Sequence, residues 1–147
     1  MKRHFALAHL SREHHGALVL ARLLQEDAPG YKGLPTDTNG KVTYALNFYH
    51  SELIKHFKEE EEVLNLVIGI NAKLDSLVET IFSEHKDLHI LFRALNNPLI
   101  ENLYIDKLGK KLEAHIRKEE RELFPLIQEN CSDEMMAEID KSLTSHL

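Results

Sequence analysis

Cysteine is nearly missing from this chain. Cys131 is the only one in 147 residues, so no intrachain disulfide can form, and a reducing, cytoplasmic setting is the expectation. No apolar run approaches the roughly 20 residues that a membrane-spanning helix needs. Positive charge is in deficit: 18 Lys and Arg against 24 Asp and Glu give a formal charge of -6, the wrong balance for a nucleic-acid surface. The start, MKRHFALAHL, is basic, but His9 breaks its apolar run and the charged SREHH follows, so it does not read as a signal peptide. Proline and glycine are sparse and bunched. Two of the four prolines and three of the six glycines fall in EDAPGYKGLPTDTNGK, Glu26–Lys41, which reads as a loop and is long for a connection between bundle helices.

What is present is helical. With 43% hydrophobic and 29% charged residues, residues 1–147 make one domain, long enough to bury about two thirds of its unfolded surface. Leu7, Leu10, His14, Ala17, Ala21 and Leu24 recur at spacings of three and four, predicting a helix over Phe5–Gln25. A second runs over Val42–Val67 with Leu46, Tyr49, Leu53, His56, Glu60 and Val63 on one stripe, ended by Gly69. The third, Ala72–Leu95, has Asn71 as cap and Leu74, Leu77, Ile81, His85, Leu88 and Phe92 in its seam. The fourth, Leu99–Gln128, carries Ile105, Leu108, Leu112, His115, Glu119, Leu123 and Leu126, with Gly109 and Pro125 as local weak points. A short fifth helix follows Ser132, whose hydroxyl can cap it. The economical fold is all-α: an antiparallel up-and-down four-helix bundle with a short C-terminal helix.

Polar residues interrupt every seam. His56 is followed four positions later by Glu60, His115 by Glu119, and His85 by His89; residues four apart share a helix face, so each pair can aim at one spot. His14 supplies the fourth seam. Singly, each has a bland reading: a lone seam histidine is more often a hydrogen-bonded core residue, and a glutamate run is usually a solvated face. Together they are five histidines and two carboxylates on core stripes, and mid-helix positions of antiparallel helices meet at similar depth. A core burying all seven with no ion would be badly unstable. The pattern is that of a metal centre.

Helix geometry selects among neighbours. At 100° per residue Glu119 lies about 40° from His115 and Glu120 about 140°, and Glu60 is preferred over Glu59 and Glu61 on the same ground. His14 continues the Leu7, Leu10, Ala17 stripe better than His15, which stays open as an outer or gating residue. Seven ligands exceed what one ion takes, and carboxylates can bridge, so two ions are expected. Imidazoles with bridging carboxylates suit iron first, then manganese or zinc.

The segments LSREH around His14, HFKEEEEVL from His56, EHKDLH across His85 and His89, and HIRKEERELFP from His115, taken in order over nearly the whole chain, resemble the hemerythrin-like, or HHE cation-binding, domain family. The resemblance implies a four-helix bundle with a non-heme di-iron centre. His85, His89 and His115 would hold one iron, His14 and His56 the other, and Glu60 and the fourth-helix acid would bridge. Oxygen-carrying members place that acid five residues after its histidine, which would pick Glu120, while many bacterial relatives use four, which picks Glu119. The iron with two histidines would keep a position open for dioxygen or another small diatomic molecule.

The expected function is therefore reversible binding of dioxygen or a related small molecule for storage, sensing or stress response, rather than dedicated catalysis. Two rivals stand beside it. One is a di-iron enzyme of peroxidase, ferroxidase or iron-sulfur repair type, although the Glu-x-x-His motif of ferritin-like enzymes occurs nowhere in the chain. The other is a metal-free interaction module with structural histidines. The sequence leaves the oligomeric state open.

Overall fold

The computed structural model describes residues 2–28 and 30–145. Pro29, part of the expected Glu26–Lys41 loop, lies outside the described residues. Those residues are all-helical, with no strand. Helix α1 spans Phe5–Leu24. Helices α2 (Thr38–Phe48) and α3 (Ile54–Val67) join through a π-helical turn, Tyr49–Leu53, in which every junction keeps right-handed helical dihedrals, so they form one continuous rod. Helix α4 (Ala72–Arg93) ends in a 3-10 turn, Ala94–Asn96. Helices α5 (Asn102–Lys118) and α6 (Phe124–Asn130) are joined through a second π turn, Glu119–Leu123. Helix α7, Asp133–Thr144, closes the series. No helix among the described residues is long and apolar enough to cross a membrane.

Several boundaries follow the sequence signals. Gly69 takes a φ of +91°, the left-handed conformation that ends α3 and that glycine adopts without steric cost. Asn71 caps α4 by accepting from the Leu74 amide, and Ser132 caps α7 by accepting from the Met135 amide. The second rod differs. It starts at Thr38, four residues before the expected Val42, because the Asp37 carboxylate accepts from the Gly40 amide and nucleates the helix inside the turn-rich stretch. The fourth begins at Asn102 instead of Leu99, after a turn over residues 97–100 that contains Pro98.

The two weak points of the fourth helix both have structural roles. A Cβ on Gly109 would sit 2.5 Å from the Ala21 carbonyl oxygen and 2.9 Å from the Leu24 Cβ. Glycine is what lets α5 lie against the α1 backbone, and this is the most extensive helix contact in the molecule. Pro125 stands in the first turn of α6, two residues after the end of the π turn, where its missing N–H is least disruptive.

The buried apolar side chains fall into two clusters. One gathers Leu7, Leu10, Val63, Ile81, Leu123 and Phe124, with Met136, Ile139 and Leu143 of α7 closing that end. The other gathers Ala17, Leu53, Phe57, Leu88, Leu112 and Ile116. Along each rod the gap between clusters falls at one place: His14 on α1, Glu60 on α3, His85 on α4, Glu119 after α5. A polar layer divides the core.

Candidate metal centre

That layer contains six of the seven residues picked by the seam argument. His14, His56, Glu60, His85, His115 and Glu119 are each between 0 and 4% exposed. Their ligand atoms form two overlapping groups, His14–His56–Glu60–Glu119 and Glu60–His85–His115–Glu119, within each of which all atoms lie within 4.8 Å of one another. Each group is two histidines plus the same two carboxylates. Glu60 presents one oxygen to each pair: its Oε2 is 3.2 Å from His14 Nε2 and 3.0 Å from His56 Nε2, and its Oε1 is 3.1 Å from His85 Nε2. Glu119 Oε1 lies 3.2 Å from both His14 Nε2 and His115 Nε2.

All four Nε2 atoms face inward because all four Nδ1–H groups are held outward. His56 donates to Glu13 (2.9 Å), His85 to Glu61 (2.8 Å), His115 to Glu84 (2.7 Å) and His14 to Glu120 (2.9 Å). A carboxylate behind a histidine fixes its tautomer and raises its basicity as a ligand. The four contacts form a closed circuit. Glu13 sits beside His14 on α1 but holds the histidine of α3, and Glu61 sits beside Glu60 on α3 but holds that of α4. Glu84, beside His85 on α4, holds that of α5, and Glu120, beside Glu119, holds that of α1.

Aromatic rings pack against the same histidines. Phe57 stacks on His85 with centroids 4.4 Å apart, and Phe124 lies parallel to His14 at 5.6 Å.

The charge balance shows what the cage is suited to hold. Burial alone would pull each imidazole down, yet the surrounding carboxylates push His14 up to about 12, His85 to about 11, and His56 and His115 to about 9. Burial would likewise raise Glu60 and Glu119, but the histidines hold both well below the usual carboxylate range. Without a metal, protons supply the positive charge these buried carboxylates demand. Even so, His56 Nε2, His85 Nε2, His115 Nε2, Glu60 Oε1 and both oxygens of Glu119 are buried with no hydrogen-bond partner. Buried polar atoms are ordinarily paired, and orphans converging on one point from three rods, met there by His14 of the fourth, fit metal ligation.

His89 is the expected residue that the structure leaves outside both groups. It lies one turn further along α4, level with the second apolar cluster, where its Nδ1 is hydrogen-bonded to the Tyr49 hydroxyl at 2.6 Å and Phe57 meets its ring edge-on. His15, left open as an outer or gating residue, is exposed on the far side of α1 and joins neither group. Glu120, the alternative bridge, holds His14 from outside, shared with the Ser11 hydroxyl and Arg3.

Sequence reasoning missed Glu13 and Glu84, and the outward role of Glu61 and Glu120. The signal was present as an acid immediately next to a ligand on each rod, since a 100° step from an inward-facing residue points at the adjacent helix.

No curated protein and no solved structure matches the chain. The family model described as the Hemerythrin HHE cation binding domain matches residues 6–127, a span that contains all six convergent residues and the whole circuit of outer carboxylates. This chain belongs to the hemerythrin HHE cation-binding domain family.

Proposed function

We propose that this is a non-heme di-iron protein whose rods α1, α2–α3, α4 and α5–α6 form an up-and-down four-helix bundle in that cyclic order. His14 and His56 would hold one ion, His85 and His115 the other, and Glu60 and Glu119, common to both groups, would be shared between them. The observation that carries this reading is the set of buried, unpartnered nitrogen and oxygen atoms facing one point. Iron pairs supply electrons and open coordination positions to a small molecule such as dioxygen. Binding such a molecule for storage, sensing or stress response is the function the geometry supports best. The chain contributes a cage fixed from behind by four carboxylates, and apolar layers on both sides that exclude water. A cleft of about 510 Å³, lined by Tyr44, Phe48 and Leu53 among others, reaches Glu13 and His56 and gives a small ligand a route from solvent. The lone cysteine favours a cytoplasmic setting, and neither nucleic acid nor membrane is needed as a partner.

One observation favours the enzyme reading as a second choice. The Tyr49–His89 pair sits against Phe57, one layer from the cage, where a phenol and an imidazole could deliver a proton to a bound molecule. His15, being exposed, is not placed for that role.

Anaerobic reconstitution with Fe(II) followed by dioxygen separates the readings. A binding protein develops charge-transfer bands in the near-ultraviolet and visible that vanish when oxygen is removed. An enzyme passes to a stable oxidised state and turns over with peroxide or a reductant, and His89→Leu then slows turnover. His89→Ala should leave two ions bound, whereas His85→Ala should not. Failure to take up any metal would sink the proposal.

A further inference from the structure

One buried acid that the central cage leaves unused also lacks a hydrogen-bond partner for one of its oxygens. Glu59, next to Glu60 on α3, is 2% exposed, and its Oε2 has no hydrogen-bond partner. Its nearest ammonium, Lys55 Nζ, is 3.7 Å from the other oxygen, and the Lys55 side chain is 58% exposed. A carboxylate buried this way is costly unless something of positive charge binds it. Glu59 Oε2 faces His9 Nε2 at 3.4 Å, and that nitrogen is also buried without a hydrogen-bond partner. Glu13 Oε2 is 3.5 Å from the same nitrogen. His9 and Glu13 are four residues apart on α1, the spacing of His56 and Glu60.

These separations are long for hydrogen bonds and right for ligands of one ion. Donors about 2.0–2.2 Å from a metal in tetrahedral or octahedral array lie roughly 3.0–3.5 Å from each other. The three ligand atoms lie within 4.8 Å of one another, as in the central groups. We propose that His9, Glu13 and Glu59 form a third cation site, separate from the central pair. One imidazole with two carboxylates suits a divalent first-row transition ion such as Fe(II), Mn(II) or Zn(II), whose charge matches that of the two acids.

The site borders the centre through a single residue. Glu13 turns Oε2 toward His9 and Oε1 toward His56 Nδ1 at 2.9 Å. An ion at the third site therefore draws on the carboxylate that orients His56, and the two occupancies are linked. Glu13 also lines the open cleft, beside His56, so the cleft opens onto the residue that the two sites share. The site stands whatever the centre holds; only the linkage through Glu13 rests on the di-iron reading.

The test is equilibrium dialysis of the metal-free full chain against Zn(II), with helix content followed by circular dichroism. Wild type is expected to bind three ions, the third more weakly. Glu59→Gln and His9→Gln, each close in shape to the native side chain, are expected to bind two. Glu119→Gln, which damages the cage, should keep the ion that depends on His9. Unchanged stoichiometry in both Glu59→Gln and His9→Gln overturns the third site. Failure of the central reading gives a different result, a wild type that binds one ion which Glu59→Gln removes. Lys55→Gln, which removes a competing cation, should tighten the third ion several-fold. If it instead lowers the melting temperature with no gain in affinity, Lys55 is the counter-ion of Glu59 and the proposal fails.

Discussion

Removing Glu84 measures what the outer carboxylates do. Glu84 accepts from His115 Nδ1 at 2.7 Å and is 21% exposed, while His115 behind it is 1% exposed. In Glu84→Ala the His115 N–H is left buried without an acceptor, and Lys118, the other partner of Glu84, is a donor and cannot replace it. Losing a hydrogen bond to a charged group costs about 1.5–3 kcal/mol. Losing the carboxylate behind a metal-bound histidine costs about 10–100-fold in affinity, or about 1.4–2.8 kcal/mol. The two routes agree, so Glu84→Ala is expected to weaken metal binding at the cage by that factor. Glu84→Gln keeps an acceptor, so its loss should stay under about tenfold. Glu61 performs the same service for His85 at 2.8 Å but is 35% exposed, so water can take over part of its role. Glu61→Ala should fall at the lower end of the range. Zn(II) competition against a chromophoric chelator reads both without redox complications. Affinity within about twofold of wild type in Glu84→Ala, or a larger loss in Glu61→Ala, would refute the account of the outer carboxylates.

Two further outcomes test the scaffold and the charge balance. Gly109→Ala is expected to destabilise the fold by about 1–3 kcal/mol through overpacking against Ala21 and Leu24, despite the gain of about 1 kcal/mol in helix propensity; an unchanged or raised midpoint in urea unfolding would show that the α1–α5 contact is looser than described. In the metal-free protein the cage histidines are held above their ordinary 6.5, His56 and His115 to about 9. The stability they contribute is full below about pH 6.5 and drains as pH rises through about 9. Glu60 and Glu119 are held below 4.5, so theirs is present above about pH 4.5 and lost on acidification. Thermal melts should therefore peak between these limits and fall toward pH 10, whereas metal affinity should rise with pH as ions displace protons. A metal-free melting temperature that stays flat from pH 6.5 to 10 would contradict this.

The stripes in the sequence located the polar layer because one physical rule, 3.6 residues per turn, decides which side of a helix is buried. His14, His56, Glu60, His85, His115 and Glu119 all satisfy it, and all converge. Glu61 and Glu120 were read as off the stripe, which is correct and is why they matter: off the stripe means facing the next helix. Recognising that requires the order of helices around the bundle, which no single helix carries. His89 passes the face test as well as His85 does, but axial position and the reach of Tyr49 decide its contacts, and Tyr49 comes from another rod. The π turns were illegible for a similar reason, since their extra residue reflects how two rods meet. The early start at Thr38 was legible in principle, as Asp37 is a standard cap, but the surrounding Gly and Pro masked it.

The circuit of outer carboxylates also acts as a check on threading. Each acid reaches clockwise or anticlockwise in the same sense, from one rod to its neighbour, and the last returns to the first. If the same helices were wound in the mirror-image order, Glu13 would face α5 and Glu61 would face α1, and all four histidines would lose their anchors together. Leu can pack on Leu in either winding, although the close approach at Gly109 also belongs to the observed one. The buried hydrogen bonds do not tolerate both, because each miswound histidine keeps an unmatched N–H in a dry interior. The same residues that ready the cage for ions thus also favour the observed order of helices over its mirror image.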